Sequence, residues 1–126
     1  MKRCLVSFMD KDSKEIKLKV NCEIASTYSQ KAKGLMNKTS LKPDEGMVFS
    51  FVFTFFRLFW MYRVVVPLDI VFIHNGCVRK VVEAERKHGL WSLVWCCGSW
   101  TDMVVETNMG VCKKNGVGPG CEVKIS

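Results

Sequence analysis

Apolar and polar residues alternate strictly from Glu15 to Ile24. Ile16, Leu18, Val20, Cys22 and Ile24 fall on one side, and Lys17, Lys19, Asn21 and Glu23 on the other. This period of two marks a half-buried strand. An apolar run over 4–9 precedes it across the polar turn 10–14, so the two segments predict a hairpin. The period changes at Thr27. Thr27-Tyr28-Ser29-Gln30 fits a capping box, in which the Thr hydroxyl and Gln amide satisfy exposed backbone N–H groups at a helix start. Tyr28, Ala32, Leu35 and Met36 follow at helical spacing, which predicts a short helix packing that face on the sheet. Gly34 sits within this pattern, where it costs stability relative to Ala. A close approach by another segment would account for it.

The most apolar stretch runs over 47–73, after the turn signal Pro43-Asp44-Glu45-Gly46. Its longest uncharged run, from Met47 to Phe56, is well short of the roughly 18–20 residues that cross a bilayer. Arg57, Arg63 and Asp69 interrupt the rest, and Pro67 would break a helix there. Phe, Val and Trp favour strands. Strands are therefore expected at 47–52, 58–66 and 68–74, with a turn between the first two and no membrane span. Asn75-Gly76 is a strong hairpin signal and leads into a strand at 77–83. Trp91, Trp95 and Trp100 mark an irregular aromatic segment, followed by a strand at 103–106. A helical turn near 111–114 should stop at Asn115-Gly116, and an edge-like strand closes the chain at 122–126. The expected fold is mainly β, a small barrel or rolled antiparallel sheet with one or two short helices, formed as one domain over 1–126.

Composition agrees with a packed domain: 126 residues, 48% hydrophobic. The opening MKRCLVSFMD lacks the apolar core and cleavage site of a signal peptide, so a cytoplasmic location is expected. Seven cysteines contain no Cys-x-x-Cys pair, so no zinc ribbon or redox motif is written here. Cys4 and Cys22 occupy apolar strand positions, where a reduced thiol acts as a small hydrophobe. The net charge of +7 is uneven: residues 1–42 hold ten Lys/Arg and four Asp/Glu, a balance of +6. Such a basic third could meet nucleic acid through Lys17, Lys19, Lys31 and Lys33. No nucleic-acid motif accompanies it, and a solvated strand face is the preferred reading.

Several fragments resemble the DUF192 family, also called UPF0127. They are Gly34-Leu35-Met36, Glu45-Gly46-Met47-Val48-Phe49, Phe59-Trp60-Met61 and Pro67-Leu68-Asp69-Ile70-Val71-Phe72, in that order. Glu106, Gly110, Asn115-Gly116 and Gly120 fit its weaker C-terminal pattern. The resemblance spans about residues 15–126. It implies a compact β-rich domain with a short helix after the first hairpin, and no established activity. The chain departs from the family at 52–57, where relatives are more polar, at Tyr62-Arg63-Val64, and at Gly120-Cys121.

Asp69 is the leading site candidate, because a carboxylate between Leu68 and Ile70 on a buried strand requires hydrogen bonds or a partner. It could orient a ligand or act as a general base. The preferred reading is a structural acceptor for backbone N–H groups such as those near Gly34 or Gly46. Trp60 and Met61 could wall an apolar pocket, although neighbours on a strand point to opposite faces and core packing is the commoner fate. Glu106 raises the question of acid–base chemistry with Asp69 if both met in one cleft; an exposed strand-end Glu is the preferred reading. A zinc site could recruit His74, Cys77 and the Cys96-Cys97 pair, yet no spacing demands it, and His88 stands alone before Gly89. The overall expectation is a binding module for a small molecule or protein partner, with no cofactor or metal, rather than an enzyme. Asp69, Trp60, Met61 and Glu106 would lie near its site. Phe53, Phe55 and Phe56 cannot all face inward from a turn at 52–57, so this segment could also join two copies of the chain.

Overall fold

The computed structural model describes residues 1–61, 63–85 and 95–126, with the side chains of 52–60 and 95–99 left out of the description. Seven strands and two short helices follow in the order β1 (Arg3–Met9), β2 (Ile16–Ala25), α1 (Tyr28–Lys33), β3 (Glu45–Trp60), β4 (Leu68–His74), β5 (Cys77–Ala84), β6 (Trp95–Asn108), α2 (Val111–Lys114) and β7 (Glu122–Ile125). The strands form one mixed sheet that closes into a ring in the order β1-β2-β3-β6-β4-β5-β7.

The expected hairpins form. β1 pairs antiparallel with β2, placing Cys4 opposite Cys22 and Val6 opposite Val20. β4 and β5 meet through Asn75 and Gly76, whose φ of 50° and 73° suit the primed turn that matches strand twist. One pairing is parallel: β2 lies beside β3, with Cys22 opposite Gly46 and Ile24 opposite Val48. Parallel neighbours need a crossover, and the segment 26–44 supplies it. The capping box at its start is present, with Gln30 N–H donating to Thr27 Oγ1 at 3.1 Å and Thr27 N–H to Gln30 Oε1 at 3.2 Å.

Three expectations are corrected. α1 does not pack a face on the sheet: none of its residues is buried, Tyr28 is 90% exposed and Ala32 is exposed. The buried anchors, Leu35 and Leu41, lie beyond it in the crossover. The two strands at 47–52 and 58–66 are one strand that ends at Trp60, with no turn at 52–57. Between Ser50–Met103 and Phe55–Thr101 the register slips, five steps on β3 against two on β6. Extra residues there become an irregularity within a paired strand, because no Gly or Pro interrupts the run of β-formers. The side chains of Phe53, Phe55 and Phe56 lie outside the description. Finally, the segment read as irregular around Trp95 and Trp100 belongs to β6, a 14-residue strand. Trp91 lies outside the described residues.

β6 is hydrogen-bonded to β3 on one side and β4 on the other, and two core clusters bury this part of the sheet on both faces. Val6, Phe8, Val20, Val48, Val71, Ile73, Val78 and Val105 fill the inside of the ring with Cys112 and Val117. On the outer face of β3, β6 and β4, Met47, Phe49, Leu68, Ile70, Phe72 and Val104 pack beneath Leu35, Leu41, Met61, Val64 and Val66. The outer cover is tied down at two points, by Asn108 Nδ2–H to Leu41 O at 2.7 Å and by Asn37 N–H to Arg63 O at 2.8 Å. Among the described residues, no helix is long and apolar enough to cross a membrane.

Candidate functional site

Both candidate carboxylates are buried, Asp69 at 1% exposure and Glu106 at 4%. They do not meet. On β4 and β6 the register sets Asp69 opposite Thr107 and Ile70 opposite Glu106. Cross-strand partners share a face and successive residues alternate. Asp69 therefore points inward with Val71 and Val105, and Glu106 points outward with Ile70 and Val104. Acid–base chemistry that joins the two is excluded by the sheet between them.

Both Asp69 oxygens are engaged. Its Oδ1 accepts the Gly110 N–H at 3.1 Å and its Oδ2 accepts the Cys112 N–H at 2.9 Å. These amides belong to the tight bend into α2, entered through Gly110 at φ +90°. The expected role as a backbone acceptor is the one observed, on different partners: the amides lie near α2 and not near Gly34 or Gly46. Long-range pairing set this, since Gly110 is 41 residues away in sequence. Burial pushes the Cys112 thiol well above its usual range, and the Asp69 carboxylate raises it further. Cys112 is thus a packed thiol and not a thiolate nucleophile. A cleft of about 300 Å³ opens beside Asp69 between Arg79, Lys80, Glu83 and Lys113. Because each Asp69 oxygen already holds an amide, the carboxylate serves the fold first.

Glu106 is the opposite case. It is not an exposed strand-end residue: it lies within β6, between Met47 of β3 and Ile70 of β4. Among the described residues, no hydrogen bond or ion pair reaches its carboxyl. Burial alone pushes its pKa up to about 8, so near neutral pH it is mostly a neutral acid. Its Oε1 and the Phe49 ring flank Gly34. A Cβ added there would sit 3.6 Å from Oε1 and 3.4 Å from Phe49 Cζ, with φ already at +49°. The sequence clue of a glycine inside a helical pattern thus marks the place where the crossover descends onto Glu106. Below it, a Cβ on Gly46 would lie 2.5 Å from the Glu106 carbonyl oxygen, so the β3–β6 contact admits only glycine there.

The remaining candidates have plainer places. Met61 is 1% exposed and packs in the outer cluster. Trp60 ends β3 opposite Trp95, and its side chain lies outside the description. An Arg79 guanidinium nitrogen lies 3.2 Å from His74 Nδ1. The five described cysteines are free thiols; His88 and the side chains of Cys96 and Cys97 lie outside the description. Among the described residues no group of three His, Cys, Asp or Glu is placed to hold a metal ion. Sequence reasoning named Lys31 only as part of the basic third and missed its contact with Phe51, whose ring centroid lies 4.6 Å from the Lys31 Nζ. It also missed Thr101 and Thr107, both buried. Thr101 Oγ1 bonds the Ile73 backbone and the Met103 carbonyl, and Thr107 Oγ1 donates to Glu45 O at 3.1 Å. An alternating strand pattern carries no signal for such ties.

Comparison with known proteins gives one family model and several similar solved structures. The DUF192 model, described as "Uncharacterized ACR", matches residues 9–125. A crystal structure of a proposed transcription regulator from Sinorhizobium meliloti 1021 is 28% identical, with a TM-score of 0.86 over 98% of this chain and 94% of that one. A protein of unknown function from Novosphingobium aromaticivorans DSM 12444 is also 28% identical, with a TM-score of 0.77 over 97% of this chain and 84% of that one. No curated protein matches the chain.

Proposed function

Since the chain belongs to the DUF192 family, whose description assigns no activity, we propose a function from the geometry: a binding module that takes a small molecule or a protein segment over Glu106. One observation carries this reading. A buried carboxyl without a partner costs roughly 1–3 kcal/mol in desolvation, and native structures rarely retain such a group without a reason. A ligand that hydrogen-bonds to it would recover that loss. Gly34, Met47, Phe49 and Ile70, from the family-like fragments, adjoin Glu106, and Leu35, Met61 and Leu68 from the same fragments pack in the same outer cluster. A thermal-shift screen of a small-molecule library on the parent and on Glu106→Leu tests the reading. Compounds should raise the melting temperature of the parent and leave the variant unmoved; compounds that act equally on both would sink it. Asp69 enters this proposal as the residue that holds the fold behind the site.

The name of the Sinorhizobium meliloti neighbour favours a second reading, nucleic-acid binding through the basic N-terminal third. Against it, Lys17 Nζ donates to Gly116 O at 3.3 Å and Lys31 lies over Phe51, so two of the four candidate lysines are already engaged. Binding to a random DNA duplex that weakens steeply with salt would support this reading. Self-association through residues 52–57 is a separate proposal. Sedimentation of the parent and of a Phe53→Ser, Phe55→Ser variant decides it, and a parent that stays monomeric at high concentration ends it.

A further inference from the structure

Resting on the binding role of the outer face, we propose that its ligand is an apolar molecule that presents an acceptor oxygen, a carbonyl or a carboxylate, to the Glu106 carboxyl acting as hydrogen-bond donor. Three features of the site select this chemistry over a ligand amine. First, no N–H or O–H among the described residues donates to Glu106, so none of them stabilises its ionised form. A neutral carboxyl keeps one O–H to give, and an acceptor oxygen is what that proton lacks. Second, its surroundings are apolar: Met47 and Ile70 are its cross-strand neighbours and Phe49 flanks it at Gly34. An ammonium brought here would require Glu106 to ionise among these apolar neighbours in order to pair with it. Third, the charge at the rim has the wrong sign for an amine. Lys31 lies over Phe51, a residue packed against the same cluster, and it would repel a second cation while drawing in an anion.

Charged groups on the surrounding elements do not contest this. Glu45, at the start of β3, has its carboxylate 3.9 Å from Lys42. Asp102, at the far end of the contact on β6, accepts the Asn75 N–H at 3.2 Å. Lys33 on α1 and Arg63 beyond β3 are exposed, and β4 faces the site with Leu68, Ile70 and Phe72, His74 standing at the far end of that face. Burial is the sole cause of the raised Glu106 pKa. Glu106 lies beneath the cover of Leu35, Leu41, Met61, Val64 and Val66, so binding requires that cover to move.

The test is methyl NMR of the whole chain labelled at methionine, following the Met47 methyl beside Glu106, with hexanoate, 2-heptanone and hexylamine as probes. Hexanoate or 2-heptanone is expected to shift the Met47 signal in a saturable way. For a donor with a pKa of about 8, affinity should fall roughly thirtyfold between pH 6.5 and 9.5. The ketone arm carries no charge, so its pH dependence reports Glu106 and not Lys31; tighter binding of hexanoate than of the ketone would assign the natural oxygen to a carboxylate. Glu106→Gln keeps a neutral N–H donor and should bind without pH dependence, whereas Glu106→Leu should remain folded and lose the shift. Saturable binding of hexylamine that strengthens with pH would overturn the ligand class and leave the binding face standing. Ketone binding with no pH dependence in the parent would remove Glu106 from the contact. Silence from all three probes would overturn the proposal, while the thermal-shift screen decides the binding reading by itself.

Discussion

Asp69 and Glu106 lie one residue out of register on neighbouring strands, yet they live in different chemistry. Asp69 faces the ring interior and accepts two backbone amides from the bend into α2. Glu106 faces the outer cluster, and among the described residues no donor reaches it. Equal burial therefore has opposite consequences. One carboxylate closes the fold, and the other is carried at a loss that a ligand could recover. Burial by itself does not separate structural from functional groups; the accounting of hydrogen bonds does.

The sharpest way to break this contrast is pH. The folded pKa of Glu106 is raised to about 8 from an ordinary value of 4.5. Between those values the folded chain holds a proton that the unfolded chain has released. Stability is greatest below pH 4.5 on this account, falls as pH rises through the window, and levels off above about 8. The full difference is roughly 4–5 kcal/mol. Urea unfolding at several pH values, parent against Glu106→Gln, should show the extra loss in the parent alone. Parallel curves would mean that Glu106 is not buried as an isolated acid.

Substitution should give opposite signs on the two faces. Asp69→Ala strands two amides and should lower the unfolding free energy by about 3 kcal/mol, with Asp69→Asn losing less because one carbonyl oxygen remains. Glu106→Leu exchanges a lone acid for an apolar side chain of similar size, and should be neutral or gain about 1 kcal/mol at pH 7. Denaturant midpoints of the two variants decide the matter, and a loss at both sites of similar size would erase the distinction.

The smallest effect concerns the cover. Gly34→Ala places a Cβ against Phe49 at 3.4 Å on a backbone with φ +49°, and should cost about 1–2 kcal/mol. The harm should fall on the outer face, with faster amide exchange in 35–41 and little change at the bend into α2. Uniform loss of protection across both regions would contradict the separation of the two faces.

Much of this molecule follows from local pattern. The alternation of β2, the capping box at Thr27, the Asn75-Gly76 hairpin and the stop at Asn115-Gly116 are properties of a few adjacent residues, and they appear where the chain predicts them, except that Ile16 at the start of β2 is exposed. The family was legible from short fragments in order. A buried Asp69 acting on backbone amides followed from the expense of a carboxylate among apolar neighbours. Its partners did not, because the two amides arrive from 41 and 43 residues away.

Glu106 shows the other limit. Met103-Val104-Val105-Glu106 reads the same at a strand end or within a central strand, and only the pairing with β3 and β4 tells them apart. The amino-acid sequence determined which residues alternate and where the chain turns, since those depend on contacts within a few positions. The ring closure decided which neighbours each strand received. That in turn decided which face each carboxyl occupies and whether any donor waits there, because distant segments supply both the burial and the hydrogen bonds.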